Sequence, residues 1–243
     1  MAAEAPAQRA AHLAVADYFE RHVAQREMTP RKAAEWPEQL HLAQFWDRLQ
    51  ACLTHIPLFL ALYNDKSKWD LTRYWIPLRE RGKDMGGCYR DSYARWAAIP
   101  ANTVDAYAPA LLGLFLHENA IYTEAEPLMR RMVEIFLKFT GATGHPHPHL
   151  NAAVSNYASL LAAMGQSREQ IAGALQELGQ RYSVDLGDVA GLSANEPSPK
   201  PSDGSATIGS QGDDAQSHSA FGISGSPPHS LPLLISCKFP TNW

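Results

Sequence analysis

Apolar residues recur every three or four positions along residues 8–182, the spacing that places them on one face of an α-helix. Within residues 8–103, no alternating polar and apolar run bounded by hairpin turns interrupts this pattern. The sequence therefore predicts an all-α protein. Thr29 followed by Pro30 predicts a helix start, because Thr is a favoured N-cap and Pro suits the first helical turn. The apolar face of the preceding helix consists of Leu13, Ala16, Phe19 and Val23.

The N-terminal helical region, residues 8–103, carries two further signals. Pro37 disfavours helical backbone at the residue before it, so a helix break is expected there. Gly82 should end a later helix, and Gly86 with Gly87 should loosen the chain again. Tryptophans recur on the helical stripes, which favours a packed aromatic core over an aromatic ligand box. These tryptophans are Trp36, Trp46, Trp69, Trp75 and Trp96.

Two helical hairpins in tandem are predicted within residues 104–182. The basis is an internal repeat, in which residues 112–116 align with residues 157–161 and a turn at Ala120 aligns with a turn at Gly165. A hairpin of this size cannot bury its apolar face alone, so it must stack on its neighbours.

A capping-box pattern follows each of these turns. Thr123 precedes Glu126 by three residues, and Ser167 precedes Gln170 by the same spacing. In such a box the two side chains satisfy backbone N–H groups in the first turn of the helix. The helix after the first box is expected to bury Ala125, Leu128, Met132, Ile135 and Phe139.

Residues 122–135, with the sequence YTEAEPLMRRMVEI, resemble the second helix of tetratricopeptide (TPR) repeats of the kinesin-light-chain type. Residues 144–165 resemble the last repeat of bacterial TPR proteins similar to nephrocystin-type signalling NTPases of the STAND or NACHT kind. A nucleotide-binding module precedes the repeats in such proteins, and residues 35–75 resemble the helical segment that follows it. The resemblance implies a TPR-like superhelix. Ala120 departs from the repeat pattern, which usually has Gly there, so this turn must form without a residue suited to left-handed backbone.

Three regions are predicted: degenerate helical repeats at residues 8–103, TPR-like hairpins at residues 104–182, and a disordered tail at residues 187–243. The tail is rich in Gly, Ser, Pro and Asp, so it cannot bury enough apolar surface to offset the entropy cost of ordering. Its last residues, 231–243, become apolar again but are expected to form no stable structure.

Charge and cysteine content indicate the cellular compartment of the protein and argue against some classes of partner. The chain of 243 residues has a net charge of −4 and a pI ≈ 6.2, which argues against a nucleic-acid partner. Its three cysteines are widely spaced and suit a reducing cytosol. No stretch is long and apolar enough for a signal peptide or a membrane span. We therefore expect a cytoplasmic protein without a membrane partner.

No nucleotide or cofactor site is predicted. The only Gly-Lys pair, Gly82 and Lys83, is followed by Asp84 and lacks the remaining residues of a P-loop. A basic interval at residues 66–95 is interleaved with aromatic and acidic residues. This composition favours a solvated helical surface over a nucleic-acid site.

No catalytic or metal-binding residues are predicted either. His145, His147 and His149 alternate with prolines, and this spacing points successive side chains apart rather than towards one metal ion. Cys52 precedes His55 by three residues, but cysteine is commonly a small buried apolar residue. The sequence thus disfavours a zinc site and a cysteine nucleophile.

The TPR resemblance implies a non-enzymatic protein–protein interaction module that binds a peptide or protein partner in its groove. Self-association is a further alternative, because the outer flank of the first hairpin must rest on the N-terminal helices or on another chain. Two other functions remain open: a regulatory C-terminal fragment of a STAND-type NTPase, and a metal-binding or hydrolytic enzyme. In TPR folds the groove is formed mainly by the first helix of each hairpin. The candidate peptide-binding residues on those helices are His117, Asn119, Asn151, Ser155 and Asn156.

Overall fold

The computed structural model describes residues 4–21, 28–64, 67–103 and 105–186. These residues form ten α-helices and a 3₁₀ turn at Pro100–Asn102, with no strand among them, so the predicted all-α class is confirmed. The predicted disordered tail lies outside the described residues. The helices are α1 (Glu4–Arg21), α2 (Pro30–Leu42), α3 (Trp46–Leu53), α4 (Ile56–Leu62), α5 (Lys68–Glu80), α6 (Met85–Ala97), α7 (Tyr107–Glu118), α8 (Tyr122–Thr143), α9 (Leu150–Ala163) and α10 (Arg168–Arg181).

Helix α2 begins as predicted but does not break where predicted. The Thr29 hydroxyl accepts a hydrogen bond from the Lys32 N–H at 3.3 Å, and Pro30 is the first helical residue. Pro37 lies inside the helix, so the predicted break is wrong. Trp36, which directly precedes it, and Leu40, which follows three residues later, are buried. We infer that their packing stabilises the helix more than the missing proline N–H destabilises it.

The glycine pair in α6 also has a different role from the one predicted. Gly86 and Gly87 are buried in the first turn of α6 and do not loosen the chain. A Cβ atom at Gly86 would lie 2.8 Å from Cγ2 of Ile121, at the start of α8. Glycine is therefore needed here for close packing between α6 and α8.

The two predicted hairpins are present, as α7 with α8 and α9 with α10, and α8 packs against both α7 and α9. The capping box at the start of α10 is confirmed: the Ser167 hydroxyl accepts from the Gln170 N–H, and the Gln170 side chain accepts from the Ser167 N–H. The prediction of a capping box at Thr123 is wrong. Helix α8 already begins at Tyr122, and its N-cap residue, Ile121, makes no side-chain capping bond.

The buried face of α8 is broader than the predicted single line. Ile135 is only partly buried and Phe139 is 40% exposed, so the prediction for Phe139 is wrong. Because α8 contacts α6, α7 and α9, two adjacent rows of its side chains are covered. The buried residues of α8 are Ala125, Leu128, Met129, Met132, Val133, Phe136, Leu137 and Thr140.

Four buried or partly buried aromatic rings connect the N-terminal helices to the hairpins. The Phe115 ring of α7 lies 5.5 Å from the Phe59 ring, 5.7 Å from the Tyr63 ring and 5.7 Å from the Tyr89 ring, between centroids. Trp75 packs on Tyr89 and donates a hydrogen bond from Nε1 to its hydroxyl at 3.2 Å. These rings belong to one cluster of buried residues that extends from α1 to the end of α10. The sequence boundary at residue 103 is therefore not a boundary of the core.

The prediction that all five tryptophans are in the core is wrong for one of them. Trp36 and Trp75 are buried, and Trp46 and Trp96 pack against the core while partly exposed. Trp69 is 71% exposed on α5. The opposite face of α5 is the one that is buried, and it consists of Leu71, Tyr74, Trp75 and Leu78.

The turn between α7 and α8 predicts a stabilising substitution. Ala120 has φ = +59°, a left-handed conformation that costs a residue with a Cβ atom about 1–2 kcal/mol. Ala120→Gly removes this strain but increases the freedom of the unfolded chain, so we expect a net gain of about 0.5–1 kcal/mol in the free energy of unfolding. The same substitution at Ala94, which is exposed within α6, should cost about 1 kcal/mol. Denaturant unfolding of both variants checks this, and a loss of stability at both positions would contradict the assignment of the turn.

Candidate partner-binding groove

Helix α1 is attached to the rest of the fold by polar contacts as well as by the apolar packing of Ala16 and Phe19. Arg9 Nε donates to the Ala43 carbonyl at 2.7 Å, which satisfies a carbonyl at the end of α2. Arg48 of α3 forms ion pairs with both Asp17 and Glu20. Among the α1 side chains that the structure describes, only that of Ala16 is fully buried. The helix is thus held by directed bonds along one side and keeps apolar side chains exposed on another.

These exposed side chains form one wall of an open groove of about 580 Å³ between α1 and the start of α2. Val15 is 41% exposed and Tyr18 is 53% exposed, although both are large apolar residues. The other wall is formed by the N-cap and the first turn of α2. The groove is lined by Ala14, Val15, Tyr18, Phe19, Thr29, Arg31 and Lys32.

The groove combines an apolar wall with a basic one. The first turn of α2 contains Arg31 and Lys32 and no acidic residue. The α1 carboxylates of Asp17 and Glu20 are bound to Arg48 of α3. Burial lowers the pKa of Lys32, because the charged ammonium is partly removed from water. The groove can therefore accept apolar side chains along α1 and polar groups along α2.

The five peptide-binding candidates from the sequence lie at the end of α7 and on α9, two helices that both pack against α8. Near the end of α7, the Asn119 amide donates to the Phe115 carbonyl at 2.8 Å, and the His117 ring lies 5.6 Å from the Tyr122 ring. Burial lowers the pKa of His117. The remaining three lie on α9, where two are exposed and one is partly buried. Whether this surface binds a peptide stays a prediction. The three α9 residues are Asn151, Ser155 and Asn156.

Sequence reasoning missed two surface features, the α1–α2 groove and exposed Trp69. Lys68, which lies 5.3 Å from the centre of the Trp69 ring, also pairs with Glu118 at 3.6 Å and so places this tryptophan near the end of α7. The spacing of residues along α5 could have distinguished its exposed face from its buried face. Trp69, Arg73 and Ile76 follow the i, i+4, i+7 pattern of one exposed face.

Ion pairs neutralise much of the basic interval at residues 66–95. Three of these pairs connect α5 or α6 with other helices, so those basic side chains also attach these helices to the fold. This arrangement agrees with the predicted solvated helical surface. The pairs are Lys68 with Glu118, Arg73 with Glu38, Lys83 with Asp47, and Arg90 with Asp91 and Glu124.

The structure also shows the surroundings of the two sites considered for chemistry, the histidines at residues 145–149 and the pair Cys52 and His55. Within the described ranges, no group of three His, Cys, Asp or Glu side chains is arranged to hold a metal ion. The His147 ring instead stacks on the Phe136 ring. Cys52 is buried, and burial raises the pKa of its thiol well above the ordinary value. The His55 Nδ1 atom is buried and makes no hydrogen bond to any described residue.

No family model matches the chain, and no curated protein or solved structure matches it. The resemblance to TPR repeats therefore rests on the residues themselves. Among the described helices, none is both long and apolar enough to cross a bilayer.

The environment of the two described cysteines predicts different reactivities. Iodoacetamide should modify Cys88 faster than Cys52 in the native chain, because Cys88 is only partly buried and the thiolate is the reactive form. Both should react at similar rates after denaturation, which serves as the control. Peptide mass spectrometry measures the two rates. Equal or faster native modification of Cys52 would contradict its placement in the core.

Proposed function

We propose that this chain is a non-enzymatic protein–protein interaction module that binds a peptide segment of a partner in the groove between α1 and α2. The observation that carries the proposal is the groove itself, an open concavity with exposed apolar residues on α1 and basic residues on α2. Its volume of about 580 Å³ falls within the range of about 300–1,000 Å³ typical of ligand sites.

The way in which the groove is built also supports binding. Val15 and Tyr18 lie three residues apart on one face of α1, so their exposed parts form a single apolar patch that a partner would cover. Tyrosine and arginine, here Tyr18 and Arg31, are among the residues that contribute most to binding energy at interfaces. The bonds from Arg9 and Arg48 fix the position of α1, so less conformational freedom is lost on binding.

The compartment proposed for this activity is the cytoplasm. Cys52 and Cys88 are both free thiols, which fits a reducing compartment.

A random-peptide display library screened against the full chain tests this function. We expect peptides to be enriched and to bind the purified chain in calorimetry. Ala14→Arg should weaken their binding at least about tenfold, a loss of about 1.4 kcal/mol, because a long charged side chain would fill the groove. Ala14 is exposed, so this substitution does not disturb the core.

A matched control is Ala7→Arg, an identical substitution at an exposed position of α1 that does not line the groove. It should leave binding unchanged. A second comparison is Asn151→Ala with Asn156→Ala, which tests the surface on α9. Failure to enrich any peptide would contradict the proposed function. Loss of binding on changing α9, with Ala14→Arg unaffected, would contradict the groove as its location.

A further inference from the structure

In the turn between α8 and α9, His147 contacts both helices. The His147 ring stacks on the Phe136 ring, with 4.0 Å between centroids and 9° between planes, and meets the Phe139 ring edge-on at 5.1 Å. The His147 N–H donates to the Thr140 hydroxyl at 3.0 Å. Both the ring and the backbone of His147 are thus attached to the last turns of α8.

The same imidazole also accepts a hydrogen bond at the start of α9. The His149 N–H donates to His147 Nδ1 at 3.2 Å, and His149 is the N-cap residue of α9. Because a backbone N–H can only donate, Nδ1 must hold its lone pair, so the ring is neutral and carries its hydrogen on Nε2. One side chain therefore connects the end of α8 to the beginning of α9, and only in its neutral form.

We propose that this turn is a pH-responsive joint, in which protonation of His147 loosens the α9–α10 hairpin from the end of α8. A proton taken from solvent adds to Nδ1 and yields an imidazolium. The acceptor of the His149 N–H is then lost, and two N–H groups face each other in its place. The new charge would also lie beside the His149 ring, whose centroid is 5.6 Å from that of His147.

The surroundings of His147 offer little compensation for that charge. From α8 it is faced by the apolar rings of Phe136 and Phe139 and by the neutral hydroxyl of Thr140. The titratable group beside it in the turn is His149, which disfavours a second positive charge. The described surroundings therefore supply no carboxylate to pair with an imidazolium.

The direction of the pH effect follows from these surroundings. Burial, with a smaller contribution from His149, lowers the pKa of His147 below its ordinary value near 6.5. The unfolded chain then binds the proton more readily than the folded chain. The stabilisation from neutral His147 is complete above about pH 6.5 and is lost as the pH falls towards the lowered pKa.

The consequence is local rather than global. At another point along α8, the Tyr157 hydroxyl donates to the Glu126 carboxylate at 2.6 Å and holds α9 by a bond that does not involve the turn. Acidification is therefore expected to open residues 144–152 first, while the buried rings around Phe115 stay packed.

Hydrogen exchange and proton NMR of the full chain test this joint. Between about pH 7.5 and 5.5, once intrinsic rates are corrected, protection of the amides in residues 144–152 should fall several-fold in the wild type. In His147→Asn this fall should be absent, because the Asn side-chain oxygen can accept the same hydrogen bond but does not titrate. His117→Asn is the matched control, since the pKa of this histidine is also lowered by burial but it lies outside the turn. It should keep the wild-type response in residues 144–152.

The NMR titration of the His147 ring in the wild type provides an independent readout if His147→Asn folds poorly. A pKa for His147 at or above about 6.5 would overturn the proposal, because the folded state would then favour the proton. An unchanged loss of protection in a folded His147→Asn chain would overturn it as well.

Discussion

The packing of Phe115 against Phe59, Tyr63 and Tyr89 is the contact on which the rest of this structure depends. Short helices such as α3 and α4 contain eight and seven residues and are not stable alone in water, so they need tertiary packing. The two hairpins also need a further neighbour, because two hairpins alone leave part of their apolar faces uncovered. The aromatic rings bury one side of α7 against α4 and α6, which stabilises the short helices and covers the hairpins at the same time.

This shared core also determines where surfaces remain for a partner. Helix α1 lies at the edge of the fold, where polar bonds from Arg9, His12 and Arg48 add to the packing of Ala16 and Phe19. Val15 and Tyr18 take no part in these bonds and stay exposed along the groove. At the other end, the turn at His147 leads from α8 into α9, whose buried side chains, among them Val154 and Leu160, belong to the same core.

The sequence predicted those features that depend on local chemistry. Thr29 and Ser167 were recognisable as helix N-caps, because the bonds of a cap involve residues within one turn. Pro37 and Gly86 were misassigned because long-range packing determines their role, through the burial of Trp36 and Leu40 in one case and the approach of Ile121 in the other. The groove could not be predicted, because it depends on how two helices are placed side by side rather than on the spacing along either one.

The N-terminal helices and the hairpins should unfold together because they share one core, and tryptophan fluorescence can test this. Five of the six tryptophans lie within residues 36–96 and the sixth is Trp243, so fluorescence from the folded core reports on the N-terminal helices. Leu160→Ala removes a fully buried side chain from α9 and should cost about 2–5 kcal/mol. Denaturant unfolding of this variant, followed by tryptophan fluorescence and by far-UV circular dichroism, should show the same lowered midpoint with both probes. A fluorescence midpoint equal to that of the wild type, with an earlier separate loss of helical signal, would contradict the shared core.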